Sequence, residues 1–208
     1  MIVLINPNST VSMTQAMLHT ARNTVQTAQI EGWTSHDGPP AIQGAEDGIL
    51  AEKPLLKLIA KASDQGASAI IIACFDDTAL AQARDRAACP VIGIGQAAYH
   101  LAAVAGQRFS VVTTLEVSVP ILEANIQAYG LGRHLGKVRA SGVPVLALEN
   151  DPRAANNQIL AEIAKSAQED EVDCIVLGCG GMVQIAPQSH DIRIIDGVRA
   201  ATVFAAQF

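Results

Sequence analysis

The sequence predicts an α/β fold of two pseudo-symmetric lobes, each a short parallel sheet flanked by helices, with a cleft between them. Half of the 208 residues are hydrophobic and only 3% are aromatic, which is typical of aliphatic parallel sheets covered by alanine-rich helices. Short apolar runs alternate with helical stretches along the chain, and the second half repeats the order of the first. This apolar content also excludes a disordered chain.

In the first half of the sequence, short apolar runs separated by helical stretches predict strands that alternate with helices. The expected strands are a run at 2–5, a weaker strand ahead of residue 31, a buried run at 67–73 and a short run at 90–94. The expected helices reach to about Val25, cover 46–64 and end near Ala88. The polar cluster Asn6-Pro7-Asn8-Ser9-Thr10 reads as a strand-to-helix loop that contains the helix N-cap.

The second half predicts the same alternation. Its strands are expected at 109–112, 142–148, 172–178 and 192–195. Helices are expected up to about Tyr129, over 152–169 and at the end of the chain.

An internal repeat supports the division into two lobes. A shift of 105 places SAIIIAC (68–74) on DCIVLGC (173–179), so that Cys74 falls on Cys179, and shifts of 103 and 107 align two further segments. We expect an N-terminal lobe of residues 1–98, joined by a closing helix at 198–208, and a C-terminal lobe of residues 99–197. Because ligands bind at the carboxyl ends of parallel strands, facing lobes would bring both cysteines to one cleft.

Two thiols on opposite sides of a cleft suit one kind of chemistry. To invert a carbon that carries a weakly acidic C–H, a base removes the proton on one face and an acid returns one on the other. A thiolate and a thiol can exchange these roles. A strand-end cysteine followed by a helix N-terminus is expected to have a lowered pKa. Gly180 and Gly181 would let backbone N–H groups approach a developing enolate oxygen.

Four motifs carry a family resemblance: Asn6-Pro7-Asn8-Ser9-Thr10, Cys74-Phe75-Asp76-Asp77, Thr113-Thr114 and Cys179-Gly180-Gly181-Met182. Together they resemble the aspartate/glutamate/hydantoin racemase superfamily, and most closely its hydantoin and allantoin racemase branch. The resemblance covers essentially the whole chain. It implies a cofactor-independent racemase of a five-membered cyclic ureide with Cys74 and Cys179 as the acid/base pair. It also implies a substrate pocket lined by Asn6, Ser9, Phe75, Asp76, Thr113, Thr114, Gly180 and Gly181.

The residues after each cysteine depart from related patterns. Glutamate-type racemases usually carry Asn-Thr after the first cysteine and Thr-His after the second, whereas Phe75-Asp76 and Gly180-Gly181 stand here. This disfavours a free amino acid and favours a cyclic ureide. The hydantoin-type loop commonly reads Cys-Phe-Asp-Asp-Pro-Gly-Leu, but this chain has Thr78-Ala79-Leu80. Hydantoin and allantoin therefore both stay open as substrates.

Several of these residues have a second interpretation. Asn6 and Ser9 could cap the first helix as readily as they could contact a ligand. Asp76 and Asp77 could cap the helix after Cys74, where their negative charge would oppose a lowered thiol pKa.

Other functions also remain possible for the whole chain. An aspartate or glutamate racemase would act on those acids but not on hydantoins. A decarboxylase or cis–trans isomerase of the superfamily is disfavoured, because the decarboxylases keep only one of the two cysteines. A non-catalytic two-lobed binding protein would keep its ligand affinity without either thiol.

No residue pattern predicts a cofactor or a metal ion. The histidines show no metal-ligand spacing; they are His19, His36, His100, His134 and His190. No lysine stands in a context that suggests a cofactor Schiff base. The four cysteines contain no CxxC pair, so reduced thiols are expected. Cys89 and Cys174 are expected to be packing residues.

The charge and composition exclude several partners. The chain carries 14 Lys and Arg against 20 Asp and Glu, a formal charge of −6, whereas nucleic-acid binding needs a basic stripe or stacking rings. No apolar run approaches the roughly 18–20 residues of a membrane span, and the sequence begins with no secretory signal pattern. We expect a soluble, cytoplasmic homo-oligomer that acts on a small molecule and binds neither nucleic acid nor membrane.

Overall fold

The computed structural model describes residues 1–185 and 192–208. Its strands are β1 (Ile2–Asn6), β2 (Ile30–Thr34), β3 (Ala69–Ile72), β4 (Val91–Gly93), β5 (Phe109–Thr113), β6 (Leu135–Ala140), β7 (Cys174–Leu177) and β8 (Arg193–Asp196). Its α-helices are α1 (Val11–Thr24), α2 (Ala45–Asp64), α3 (Leu80–Arg86), α4 (Ile94–Val104), α5 (Val119–Ala128), α6 (Ala147–Asn150), α7 (Pro152–Glu169) and α8 (Gly197–Ala205). The histidine at position 190 lies outside the described residues.

The strands form two parallel four-stranded sheets with the same topology. The strand orders are β2-β1-β3-β4 and β6-β5-β7-β8, so that β1 corresponds to β5 and β3 corresponds to β7. The registers agree as well: Ile5 lies opposite Ile72 in the first sheet, and Val112 lies opposite Leu177 in the second. The predicted α/β fold with two pseudo-symmetric sheets is confirmed.

Each sheet divides its side chains between two layers. In β3, Ala69 and Ile71 join a central core shared by both halves, whereas Ile70 and Ile72 join a separate core under α2 and α3. In β7, Val176 enters the central core and its neighbours in the strand face α7. This alternation follows from the two-residue period of a strand. Strands β3 and β7 are therefore buried on both faces, which explains their continuous apolar runs.

The corresponding helices α4 and α8 pack against each other between the two sheets. Helix α8 also contacts α1, β3 and β4 of the first half and β8 of the second. The exact division into lobes of residues 1–98 with 198–208 and 99–197 stays a prediction.

The strand predicted at 142–148 is wrong. Gly142 has a φ of +76°, and Pro144 has no N–H to donate to a ladder. The segment therefore runs as an irregular stretch into α6, although Val143, Val145 and Leu148 are buried there. The strand is instead β6, whose Lys137 lies on an exposed face. An edge strand of this kind has no continuous apolar run that could signal it.

Within residues 1–185 and 192–208, no helix is both long and apolar enough to cross a membrane.

A buried ion-pair cluster fastens β6 to α7. The Arg139 side chain is 5% exposed, and its guanidinium donates hydrogen bonds to the carboxylates of Glu162, Glu169 and Asp170. Asp170, which is also buried, accepts a further hydrogen bond from Ser166. Replacing Arg139 by methionine leaves this carboxylate without its cation, so we expect Arg139→Met to lower the free energy of unfolding by about 3–5 kcal/mol.

Urea denaturation would measure this loss, and an exposed ion pair supplies the matched control. Arg199 is 55% exposed and pairs with Asp196 at 3.5 Å, so Arg199→Met should cost less than about 1 kcal/mol. Burial opposes the charge of Asp170, but Arg139 and two serines lower the pKa of its carboxyl to about 2. Because this lies below the unfolded value of roughly 3.9, the stabilisation is present above about pH 4 and is lost as the pH falls towards 2. Equal losses for the two variants at neutral pH would contradict the buried-pair interpretation.

Candidate active site

The two cysteines of the repeat occupy equivalent places in the two sheets. Cys74 lies two residues past the end of β3, and Cys179 lies two residues past the end of β7. In both cases the intervening residue extends the ladder: the Ala73 N–H donates to Ile5 at 2.8 Å, and the Gly178 N–H donates to Val112 at 2.8 Å. Both thiols therefore leave the carboxyl edge of a parallel sheet, where ligand sites of such folds lie.

The two cysteine loops meet around one small cavity of about 40 Å³, which both thiols line. The contact between the loops is tight at Gly180, where a Cβ atom would lie 3.1 Å from the Ala73 carbonyl oxygen and 2.7 Å from the Met17 sulfur. A glycine is needed at this position. Ligand pockets are typically several hundred Å³, so this cavity is narrow for a ligand site.

Most of the residues predicted for the site line this cavity. They are Cys74, Phe75, Asp76, Thr113, Thr114, Cys179, Gly180 and Gly181. Thr113 has a further role, since its hydroxyl donates to the Gly178 carbonyl at 2.8 Å and so holds the end of β7 against β5.

Asn6 and Ser9 lie outside the cavity lining, in contrast to the prediction. Asn6 is fully buried, and its amide donates hydrogen bonds to Asn8 Oδ1 at 2.9 Å and to Thr14 Oγ1 at 3.0 Å. Its side chain is thus used to hold the loop after β1. Neither residue is the N-cap of α1, which is Thr10.

The same loop supplies a residue that the sequence reading missed. Asn8 lines the cavity, together with Met13 and Met17 from the first turns of α1. The four-residue spacing of the two methionines, directly after a strand end, is a signal that could have placed them there. Ala73 and Gly178, each directly before a cysteine of the pair, also line the cavity. The remaining lining residues come from loops and from α5 without any sequence signal; they are Ile42, Ser118, Leu122 and Val145.

Cys74 is held as a thiol. Its Sγ donates a hydrogen bond to Asp76 Oδ1 at 2.9 Å. Burial raises the pKa of the Cys74 thiol well above its ordinary value, and the charge and hydrogen bond of Asp76 raise it further. The lowered pKa expected from the sequence is therefore wrong for this thiol, because desolvation and a neighbouring carboxylate both disfavour the thiolate.

Cys179 has a different environment. Burial raises the pKa of its thiol to about 11, while backbone N–H groups of Gly181 and Met182 act in the opposite direction. The helical turn Gly180–Gln184 does supply the N–H groups that the sequence predicts, but they do not outweigh desolvation. Two backbone N–H groups lower the pKa of Cys179, whereas at Cys74 the Asp76 backbone and the Thr78 hydroxyl lower the pKa against the larger effects of burial and the Asp76 carboxylate.

Asp77, next to the site, ties the Cys74 loop to the rest of the protein. Its buried carboxylate accepts hydrogen bonds from the N–H groups of Gly95 and Gln96 at the start of α4, and from the Tyr129 hydroxyl at 2.9 Å. Burial raises the pKa of this carboxyl to about 7 despite these donors. Asp77 thus caps α4, and not α3, the helix that follows its own loop.

In the second half, the corresponding helix α8 is capped by the residue directly before it. Asp196, at the position equivalent to Gly93, accepts hydrogen bonds from the N–H groups of Val198 and Arg199 and so caps α8. At Gly93 there is no side chain, and a Cβ atom there would lie 2.0 Å from Asp77 Oδ1. The carboxylate of Asp77 therefore occupies the space that a local capping side chain would fill.

The departure from the hydantoin-type loop has a backbone consequence. The glycine of that pattern falls on Ala79, which has a φ of +53°. This left-handed conformation costs a non-glycine residue about 1–2 kcal/mol. Ala79 therefore adopts a conformation that a glycine would take without this cost.

Two equivalent thiols line one cavity between two similar sheets, an arrangement suited to proton transfer on both faces of a carbon. The known proteins that this chain resembles include racemases. The family described as Asp/Glu/Hydantoin racemase matches residues 2–205. A hydantoin racemase from Rhizobium meliloti is 43% identical over 206 residues, which cover 97% of this chain and 86% of that protein.

Two solved structures are similar over nearly the whole chain. The allantoin racemase from Klebsiella pneumoniae superposes with a TM-score of 0.94 at 34% identity, covering 99% of this chain and 86% of that chain. The allantoin racemase from Pseudomonas fluorescens gives a TM-score of 0.93 at 33% identity, with coverages of 99% and 89%. The chain belongs to the Asp/Glu/hydantoin racemase family.

Proposed function

We propose that this protein is a racemase of five-membered cyclic ureides, 5-substituted hydantoins or allantoin, in which Cys74 and Cys179 are the acid/base pair. The relatives that are similar over nearly the whole chain are hydantoin and allantoin racemases. The equivalent strand-end positions of the two thiols at one cavity support the two-cysteine mechanism.

The charge of the residues that line the cavity favours a neutral substrate. Among the described residues that line the cavity, Asp76 carries the one formal charge, and none is Lys, Arg or His. A free amino acid would bring a carboxylate into this cavity with no cationic side chain there to pair with it, which is costly in a buried site. A cyclic ureide is neutral and brings amide groups that hydroxyls and amides can satisfy.

The proposed reaction moves one proton on and one proton off C5 of the ring. The thiolate of one cysteine takes the C5 proton, and the electron pair delocalises onto the neighbouring carbonyl oxygen as an enolate. The thiol of the other cysteine then donates its proton to the opposite face of C5, which inverts that carbon. The opposite enantiomer reacts with the two roles exchanged.

The lining residues suggest how the ring is held. Asn8 and Thr114 bring an amide and a hydroxyl to the cavity wall, and both can donate to ureide carbonyls. Phe75, Gly180 and Gly181 line the same cavity, next to the two thiols in the chain. We assign these five residues to substrate binding and give Asn6 only an indirect role through Asn8.

Loss of optical rotation tests the proposed activity. With equal amounts of enzyme, the rotation of single enantiomers of allantoin and of 5-benzylhydantoin should decay to zero faster than in enzyme-free blanks. Aspartate and glutamate should keep their rotation, because their carboxylates have no cationic partner in the described cavity lining. The ratio of the two ureide rates identifies the preferred ring substituent.

Two outcomes would overturn the proposal in favour of another function. Racemisation of aspartate or glutamate without any effect on the ureides would make the protein an amino-acid racemase. Binding of a ureide with no racemisation, unchanged by loss of both thiols, would make it a binding protein. The cytoplasmic location and the homo-oligomeric state expected from the sequence stay predictions.

A further inference from the structure

Asp76 contacts a reacting group directly. Its Oδ1 atom accepts the hydrogen bond from Cys74 Sγ at 2.9 Å. The same oxygen accepts hydrogen bonds from the backbone N–H of Thr78 at 3.2 Å and from its hydroxyl. These donors fix the carboxylate in place, so that the thiol proton points at a base of defined position.

The other side of Asp76 faces a second, wider cavity of about 460 Å³. Its Oδ2 atom lies 3.9 Å from the Cβ position of Gly48, in the first turns of α2. Asp76 lines both this outer cavity and the small cavity with the two thiols. It is half-buried, whereas Phe75 and Asp77 on either side of it are buried. The carboxyl group therefore connects Cys74 with a space that solvent can reach.

Cys179 is placed differently. Its loop continues with Gly180 and Gly181, which have no side-chain acid or base, and backbone N–H groups from Gly181 and Met182 act on its sulfur. In the part of the chain that the structure describes, no carboxylate hydrogen-bonds to Cys179. The negative charge of Asp76 raises the pKa of the Cys179 thiol as well, but the hydrogen bond from Cys74 to Asp76 has no counterpart at Cys179 among the described residues. The pseudo-symmetry of the two thiols therefore does not extend to this contact.

We propose that Asp76 is a proton-relay residue, which holds Cys74 as the thiol in the resting protein and exchanges its proton with solvent through the outer cavity. This proposal rests on the proposed function, in which one cysteine acts as base and the other as acid. It makes Cys179 the base that first removes the C5 proton. Burial and Asp76 together raise the pKa of Cys74, in agreement with that assignment. The other charged or titratable groups around the outer cavity are Glu52, Asp77, Arg84 and Tyr129.

The relay balances protons over a complete cycle. After Cys179 has taken the C5 proton and Cys74 has given one, the protein holds a Cys179 thiol and a Cys74 thiolate. A solvent proton adds to the Asp76 carboxylate and passes on to the Cys74 thiolate, which restores the thiol and the carboxylate. Cys179 releases its proton to solvent, so that the net number of bound protons is unchanged.

Thiol alkylation tests the holding role without any need for racemase activity. In a Cys179→Ala background, the rate at which iodoacetamide alkylates Cys74 is followed by peptide mass spectrometry near pH 8. Asp76→Asn removes the negative charge and should raise this rate about tenfold, which corresponds to a thiol pKa lower by about one unit. Glu52→Gln removes a charge from the same outer cavity without touching Cys74, and should leave the rate unchanged.

A second variant has the opposite expected sign. Thr78→Val is close in shape to the native residue and removes a donor that Asp76 Oδ1 now uses. The Cys74–Asp76 hydrogen bond should then strengthen and alkylation should slow. Equal rates in the background protein and in both Asp76→Asn and Thr78→Val, each with an unchanged circular dichroism spectrum, would overturn the proposal.

Isotope exchange tests the relay itself in the protein with both thiols. In deuterium oxide, the wild type should wash the C5 hydrogen of the substrate out into solvent with each inversion. Asp76→Asn should return to the ring part of the hydrogen that Cys74 removes from the opposite enantiomer, because without the relay that hydrogen leaves the Cys74 thiol more slowly than substrate turns over. Equal wash-out in the two proteins would overturn the relay, while the proposed function would still be decided by the rotation assay on the wild type.

Discussion

Cys74→Ala and Cys179→Ala are each expected to lower the racemisation rate by about 10³-fold, since general acid–base groups contribute roughly 10²–10⁴-fold. One thiol takes the proton and the other returns it, so neither variant can complete the inversion. Loss of optical rotation measures the effect. Each variant should still exchange deuterium into one enantiomer, the one whose C5 hydrogen faces the remaining cysteine.

The matched control is the same substitution at a cysteine remote from the site. Cys89 immediately precedes Pro90 and β4, at the amino end of the first sheet, opposite the edge that carries the thiol pair. Cys89→Ala should therefore keep the wild-type rate. Full racemisation activity in either Cys74→Ala or Cys179→Ala would contradict the two-thiol mechanism.

Gly93→Ala is expected to lower the free energy of unfolding by about 3–5 kcal/mol, the sum of an overpacking cost and the loss of capping hydrogen bonds. The new Cβ atom would lie 2.0 Å from Asp77 Oδ1, so the carboxylate must leave the N-terminus of α4. The Tyr129 hydroxyl and two backbone N–H groups then lose their acceptor. Urea denaturation measures the change.

Two comparisons separate this cause from a general intolerance of alanine. At Gly48 in α2, the nearest atom to a new Cβ is 3.9 Å away, so Gly48→Ala should be neutral or stabilise the fold by up to about 1 kcal/mol. In an Asp77→Ala background the clash is absent, and Gly93→Ala should cost much less than in the wild type. Additive losses in that double variant would show that the Asp77 contact is not the cause.

The sequence was sufficient to predict the two-sheet architecture and the order of most elements, although it predicted no helix at α4. Strands buried on both faces leave continuous apolar runs, as in β3 and β7. The edge strand β6 could not be found in this way, since only Val138 and Arg139 are buried in it. The buried segment around Val143 has the apolar content of a strand, but Gly142 and Pro144 prevent it from forming one.

The sequence also brought most of the candidate site together, because strand-end residues of corresponding strands meet at one edge. It could not decide between Asn6 and Asn8, since both lie in the same polar loop and only tertiary packing turns one amide inwards. Nor could it foresee that Asp77 caps α4, since its hydrogen-bond partners Gly95 and Gln96 lie 18 and 19 residues further on. The thiol pKa prediction failed for a related reason: helix N-termini are visible in a sequence, whereas desolvation depends on everything packed around the group.

Helix α8 links the folding of the two halves. This helix buries Val198, Ala201 and Ala205, and it covers α1 and α4 of the first half although it follows the strands of the second. A nascent chain therefore exposes the apolar faces of both helices until residues 197–205 have been synthesised. Although each half has its own sheet, the first half cannot complete its core before the second half is present.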